Sequence, residues 1–261
     1  MSYRRKHIRN KIHKIKPKRS VLKRPIFWIG LFLFIIVSAT CYILFFYPKF
    51  RIDNIMISGN QKVQTENIKS LVSNNIKKQS IFLINTAAIS KEVLNNFPII
   101  NNIKIDKKLT STLTVEISER SPVGVFCQDK CFLIDENGVI FEQIQDVPQE
   151  MFIVRQQVEE SKVFIGGQVI EENIIKAVSN LEKNLKEGFE IKIKEAIVVN
   201  PSQLNIKTDE NWQAYLSLDQ DSDINLQITK LNLLLKGEIT PEARKKLEYI
   251  DLRFKDRAYY K

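Results

Sequence analysis

The sequence predicts an α+β protein held by a single N-terminal transmembrane helix, with two small domains beyond it. Three observations carry that prediction. Ile26 to Tyr47 is a run of 22 residues without a charge, and about 20 apolar residues of helix cross the hydrocarbon core of a bilayer. Residues 50–119 then follow strand-like and helix-like hydrophobic periods in the order strand, helix, helix, strand, strand. The remainder mixes short strands with two amphipathic helices, the pattern of a second mixed α+β domain with a largely antiparallel sheet.

At about 1.5 Å per residue the apolar run is about 33 Å long, enough to span with a modest tilt. A helix satisfies its own backbone donors and acceptors, which is why lipid accepts it. Trp28 at one end and Tyr42 and Tyr47 toward the other carry the amphipathic rings favoured at the two interfaces. The 25 residues before the run hold eleven Lys or Arg and no acid, whereas the whole chain has 40 basic and 30 acidic residues for a net charge of +10. Without that tail, 29 basic residues face 30 acidic ones, so the excess charge belongs to the tail alone. A basic tail binds nucleic acid or anionic lipid in some proteins. No aromatic or folded motif accompanies these charges, so the expectation is the positive-inside rule, with a cytoplasmic N-terminus and no nucleic-acid partner. A cleaved signal peptide is the competing reading, with Val37-Ser38-Ala39 as its small-residue site. The apolar run continues for eight residues past Ala39, which favours an uncleaved anchor. Ser38-Ala39-Thr40 matches the approach to a lipidated cysteine poorly, so Cys41 reads as a lipid-facing or packing residue.

After the anchor, Phe50 to Ile57 reads as a strand, ended by Ser58-Gly59-Asn60. Thr65 is placed to cap a helix over Glu66 to Asn75, with Ile68, Leu71, Val72 and Ile76 on one face. Ser80 to Ile84 is a short apolar piece. Thr86 is expected to cap a second helix that runs to Asn96, turns Ile89, Val93, Leu94 and Phe97 inward and stops before Pro98. Ile99 to Asp106 and Leu113 to Ser118 read as strands, the second alternating apolar Leu113, Val115 and Ile117 with polar neighbours.

Further on, Val123 to Cys127 and Cys131 to Asp135 read as a hairpin, and Asn137-Gly138 as a tight turn leading into Val139-Ile140-Phe141. Pro148 and Gly166-Gly167 mark loops. Glu171 to Lys186 is an amphipathic helix expected to end near Gly188, with Ile174, Ile175, Val178, Leu181 and Leu185 on one face. Ile191 to Ile193, Ala196 to Val199, Leu204 to Ile206 and Trp212 to Leu218 read as short strands. Ile224 to Lys236 is a second amphipathic helix closed by Gly237, and Pro241 starts a helical turn. Tyr249 to Phe254 and Ala258 to Tyr260 end the chain as strand.

Catalysis has little to work with in this chain. His7 and His13, its two histidines, both precede the anchor, so no Ser-His-Asp or Cys-His arrangement forms beyond it. No phosphate-cradling glycine loop occurs, and no cofactor, small-molecule substrate or metal is expected. Asp219, Asp221 and Asp223 lack the Gly and distant Glu of an EF-hand and read as a solvated turn capping the next helix. Cys127 and Cys131 bracket three residues of the predicted hairpin. A disulfide between them is the expected state outside the cytoplasm, with free thiols as the alternative. It would close a short loop and contribute less than the ~3 kcal/mol of a 15-residue one. Function must then lie on a surface. An edge strand offers unpaired backbone groups to a partner strand, and Tyr and Arg anchor interfaces, which draws attention to the closing segment.

The element order, together with Ile55-Met56-Ile57-Ser58-Gly59-Asn60, Pro98 before a strand and Leu113-Thr114-Val115-Glu116-Ile117-Ser118-Glu119-Arg120-Ser121-Pro122-Val123, resembles a POTRA domain running into its neighbour. Behind a basic tail and one anchor, it is similar to the FtsQ/DivIB family of bacterial division proteins. Leu133-Ile134-Asp135-Glu136-Asn137-Gly138-Val139-Ile140-Phe141 and the closing Tyr249-Ile250-Asp251-Leu252-Arg253-Phe254 through Tyr260 are similar to further family motifs. The resemblance implies a basic cytoplasmic tail (1–25), a transmembrane helix (26–47), a POTRA domain (50–119) and an FtsQ/DivIB-type β domain (120–261). It implies a non-enzymatic, single-pass scaffold of the inner or plasma membrane, enriched at the division septum, with the bulk of the chain extracytoplasmic. FtsB- and FtsL-type proteins, other division proteins and the lipid membrane are its implied partners. The implied partner-binding residues are Leu252, Arg253, Phe254, Arg257, Tyr259 and Tyr260, the alternative being that Leu252 and Phe254 fill core. A different class remains: a POTRA-bearing translocation or secretion component that holds extended polypeptides by strand addition, a reading that a barrel-forming C-terminal half would favour.

Overall fold

The computed structural model describes residues 25–76, 79–108, 111–157, 163–219 and 221–261, so the basic tail read from the sequence lies outside the described residues. Pro25–Phe46 forms one unbroken helix, α1, of 22 residues with no buried side chain. A single 3-10 turn over Pro48–Phe50 carries the chain into the first lobe. The strand expected from Phe50 is shorter and starts later. Arg51 makes only an isolated bridge to Ser80, and the strand β1 spans Asn54–Ser58.

Helix α2 (Thr65–Ile76) and helix α3 (Thr86–Asn96) follow, then β2 (Ile100–Lys108) and β3 (Thr112–Glu119). The sheet order is β1-β3-β2, with β1 parallel to β3 and β2 antiparallel to it. Period-2 alternation sends Leu113, Val115 and Ile117 to one face, where they pack with Ile68, Val72 and Ile76 of α2 and Ile89 and Val93 of α3. The caps differ from expectation by one residue. Asn85, not Thr86, caps α3, its side chain accepting from the Ala88 N–H at 3.1 Å. Thr65 lies inside α2 and accepts from the Asn60 side-chain amide at 3.0 Å.

The second lobe is a nine-stranded mixed sheet. Its strands are β4 (Gly124–Cys127), β5 (Cys131–Ile134), β6 (Ile140–Ile144), β7 (Ile153–Gln156), β8 (Ile193–Asn200), β9 (Gln203–Thr208), β10 (Gln213–Ser217), β11 (Tyr249–Asp251) and β12 (Tyr259–Tyr260). They lie in the order β12-β11-β10-β9-β8-β7-β4-β5-β6. Five neighbouring pairs are antiparallel and three are parallel.

Strand β7 was not foreseen. Its Phe152-Ile153-Val154 run gives no alternation because it lies at the sheet centre, parallel to both β4 and β8. Helices α4 (Glu172–Phe189) and α5 (Ile224–Gly237) cover one face, burying Ile175, Val178, Leu181, Leu185, Ile228, Leu231 and Leu235. The end of α4 also departs from expectation. The helix runs through Gly188, and Glu190 takes the left-handed cap conformation at φ 60°. Asp223 caps α5 by accepting from the N–H groups of Asn225 and Leu226, and Pro241–Arg244 forms the short helix α6. On the opposite face, Val125, Cys127, Leu133 and Phe141 make a smaller cluster that takes in Ile99 from the first lobe. Cys127 and Cys131 are disulfide-bonded across the tip of the β4–β5 hairpin, where they stand opposite one another in register.

Candidate partner-docking edge

The closing strands finish the sheet at β12. Strand β11 runs parallel to β10, pairing Ala214 with Ile250 and Tyr215 with Asp251. Ala214 and Ile250 point into the core, so Tyr215, Tyr249 and Asp251 stand on the face away from α4 and α5. The rings of Tyr215 and Tyr249 stack with centroids 5.7 Å apart. Asp251 takes a two-pronged contact from Arg253, Nε to Oδ1 at 2.9 Å and Nη2 to Oδ2 at 2.6 Å. The guanidinium lies 5.6 Å from the Tyr215 ring centroid, a cation–π placement. The Arg253 bond holds the Asp251 carboxyl below its usual range against the opposing effect of burial, and the same bond raises Arg253.

Asp251 Oδ1 also accepts from the backbone N–H of Arg253 at 3.2 Å, a local turn that takes the chain out of the strand. Strand β11 therefore stops three residues before the expected Phe254. Residues 252–258 form a loop, and Lys230 of α5 holds it by donating to the carbonyls of Phe254, at 2.8 Å, and Lys255. The chain then returns as β12, antiparallel to β11. Phe254 and Tyr259 meet edge to face at 5.2 Å. Phe254, Tyr259 and Tyr260 are 49%, 46% and 49% exposed.

The backbone of β12 is half used. Lys261 and Tyr249 exchange both hydrogen bonds, N–H to O at 3.2 and 3.4 Å. Hydrogen-bonded and non-bonded pairs alternate along an antiparallel ladder. Tyr260, opposite Ile250, is therefore the non-bonded position, and its N–H and C=O face the open side of the sheet.

Of the six residues expected at a partner site, the structure brings Arg253, Phe254, Tyr259 and Tyr260 onto this edge, with Arg257 exposed in the same loop. Leu252 is a correction. Its side chain is 0% exposed within the main core and its N–H donates to the Tyr215 carbonyl, so it is packing and offers a partner no side-chain surface. Sequence reasoning passed over Tyr215, Tyr249 and Asp251. The signal was an aromatic at the polar beat of an alternating strand, as in Gln213-Ala214-Tyr215-Leu216.

The phrases that carry the family resemblance do a different job, ordering a loop of the first lobe and tying that lobe to the second. Glu119 at the end of β3 accepts from the successive backbone N–H groups of Gln61, Lys62 and Val63 at 2.8 to 3.0 Å. Burial raises the Glu119 carboxyl, but those three donors outweigh it and leave it below its usual range. Gly59, which precedes that loop, has φ +84°, and a Cβ there would overlap the Ile117 carbonyl. Arg120 donates from Nε to the Pro98 carbonyl at 3.0 Å and pairs with Asp135 of the second lobe. Asp135 in turn accepts from the N–H groups of Asn137 and Val139 at 3.0 and 2.9 Å, fixing the turn at Gly138. Lys62 and Glu142 add an exposed contact between the lobes at 3.0 Å.

Among the described residues, one long apolar helix, a three-stranded lobe with two helices on one face and a helix-backed mixed sheet define a POTRA-bearing protein with a candidate membrane anchor. Comparison with known proteins agrees. Residues 50–120 match the model of the FtsQ-type POTRA domain, and residues 126–253 match that of the C-terminal region of the cell division proteins FtsQ/DivIB. The cell division protein DivIB of Clostridium tetani is 25% identical over 86% of this chain and 84% of its own length. DivIB of Clostridium botulinum strain Hall is 30% identical over 66% of each chain. FtsQ of Rickettsia bellii is 31% identical over 40% of this chain and 39% of its own. The chain belongs to the FtsQ/DivIB family of cell division proteins.

Proposed function

We propose that this chain is a non-enzymatic scaffold of the division machinery, whose C-terminal edge captures and positions FtsB- and FtsL-type partners during septum formation. The reading divides the chain into a cytoplasmic tail (1–25), a span (26–47), a POTRA domain (50–119) and a partner-binding β domain (120–261), with the bulk outside the cytoplasm at the septum. The observation that carries it is the free backbone edge of Tyr260 on β12, flanked by the exposed rings of Phe254 and Tyr259. A partner strand added there would gain main-chain hydrogen bonds for affinity and aromatic anchors for specificity. The position of both histidines ahead of the anchor supports a binding role over catalysis. The linear, helix-backed order of the nine strands favours this reading over a barrel-coupled translocation component.

The test is co-purification of an FtsB-type partner with the full chain and with Phe254→Glu and Tyr259→Lys variants. Both variants are expected to lose capture by tenfold or more, about the effect of removing an interface anchor; normal capture by both would remove this edge from consideration. Depletion in the native cell, with a fluorescent fusion followed in parallel, tests the wider role. Filamentous cells and septal signal are expected, and normal division with uniform membrane signal would overturn it.

A further inference from the structure

The loop between α2 and α3 is fastened to the end of α1. Ser80 Oγ donates to the carbonyl of Leu44 at 2.9 Å, occupying one of the C-terminal carbonyls that a helix leaves without an internal partner. Arg51 and Ser80 form an antiparallel bridge, and the Ile81 N–H donates to the Phe50 carbonyl at 2.8 Å. The ring of Phe82 meets that of Phe50 edge-on at 5.4 Å, and Phe50 in turn lies 6.3 Å from Tyr47. From the other side, Lys107 of β2 donates to the Ile84 carbonyl at 2.8 Å.

These contacts leave only the turn Pro48–Phe50 between the apolar helix and the first lobe, and that turn is itself held by the loop. The tip of the loop points its apolar groups outward. Ser80 and Ile81 are buried, whereas Phe82 and Leu83 are 42% and 53% exposed. Two adjacent large apolar side chains gain nothing from water, but side chains of this kind are favoured in the headgroup and upper acyl region of a bilayer. The tip is within ring contact of residues only one turn beyond α1, so it shares their depth. Lys49 and Arg51, both exposed beside it, suit an anionic surface.

We infer that Phe82 and Leu83 form a second membrane contact, dipping into the lipid interface of the leaflet from which α1 emerges. The occupant of this patch is the bilayer itself, and its effect is to hold the POTRA lobe in one orientation against the membrane. The inference rests on α1 being a span.

The full chain carrying Cys41→Ser, with the Cys127–Cys131 bridge kept oxidised, is reconstituted into vesicles of phosphatidylcholine and phosphatidylglycerol. A nitroxide is placed in turn at Leu83→Cys, at Leu233→Cys on exposed α5 and at Phe34→Cys within α1, and collision rates with oxygen and a water-soluble nickel chelate are measured. The oxygen-to-nickel ratio at position 83 is expected to exceed that at 233 by about threefold or more, approaching the lipid-like value at 34. A water-like ratio at 83 with a lipid-like one at 34 overturns the second contact and leaves the span intact. A water-like ratio at 34 overturns the span, and this inference with it.

Discussion

Arg120 and Asp135 form an ion pair across the joint between the two lobes, with side chains only 14% and 3% exposed. Other polar atoms of the pair are used as well. Arg120 spends Nε on the Pro98 carbonyl, and Asp135 spends its remaining acceptor on the turn at Asn137 and Val139. The joint is thereby tied to the end of α3 on one side and to the β5–β6 turn on the other. Gly166, whose Cβ would rest 3.5 Å from Pro98, brings a third segment of the second lobe against the same proline.

Removing one member of a buried pair leaves the other charge stranded, at a cost of about 3–5 kcal/mol. Arg120→Ala and Asp135→Ala are each expected to lower unfolding stability in urea by about 3 kcal/mol or more. The double variant should fall short of the sum by at least about 1 kcal/mol, because the second removal strands nothing further. Strict additivity would show that the two residues act separately.

Glu119 predicts an acid-sensitive loop in the first lobe. Its carboxyl is held below the unfolded value by three backbone N–H donors, so its contribution is fully present above the unfolded pKa of about 4.3 and fades as pH falls through the folded value. Glu119→Gln should cost about 1.5–3 kcal/mol or less at neutral pH, the range for hydrogen bonds to a charged group. The gap to the parent chain should narrow between roughly pH 5 and pH 3. Chemical denaturation across that range measures it, and a pH-independent gap would refute the charged cradle.

The hairpin disulfide closes a five-residue loop, Cys127 to Cys131, for which chain entropy gives roughly 2 kcal/mol. Alkylation of the native chain without reductant should add one label, on Cys41, and three after reduction and unfolding. A Cys127→Ser, Cys131→Ser chain should unfold about 2 kcal/mol more easily. Three labels on the unreduced chain would place the pair in the thiol state.

What the sequence disclosed and what it withheld divide along physical lines. Elements with one wet face were legible: α2, α3, α4 and α5 from their 3.6 period, and β3 from its alternation. Strand β7 offers only the short run Phe152-Ile153-Val154, apolar on both faces, before exposed Arg155, too little for a period to show. Residue-level ends were missed where tertiary contacts chose between neighbours, as at Asn85 over Thr86 and at Glu190 beyond Gly188. The closing segment was legible as a candidate edge from its Tyr and Arg content, but its inner division was not. A stop set by the Asp251 side chain turns Leu252 into core and frees Phe254, and nothing in the apolar pattern announces it. Glu119, Arg120 and Asp135 were read as family phrases, yet their work, Glu119 ordering residues 61–63 and Arg120 joining the lobes through Asp135, needs residues far away in the chain.

The direction of the Tyr260 backbone separates strand addition from docking by side chains alone. Its N–H and C=O face away from β11, so Tyr260→Pro removes a donor that the sheet does not use. Tyr259, opposite Asp251, sits at the alternating bonded position, so Tyr259→Pro cuts the ladder itself. The expected pattern is a Tyr260→Pro chain whose stability stays within about 1 kcal/mol of the parent, while partner capture falls about tenfold or more through the lost main-chain bond and the lost ring. Tyr260→Phe, which keeps the N–H and the ring, should capture normally. Tyr259→Pro should lose both stability and capture. Full capture by the Tyr260→Pro chain would mean that any partner at this edge is held by Phe254, Tyr259 and their neighbours without adding a strand.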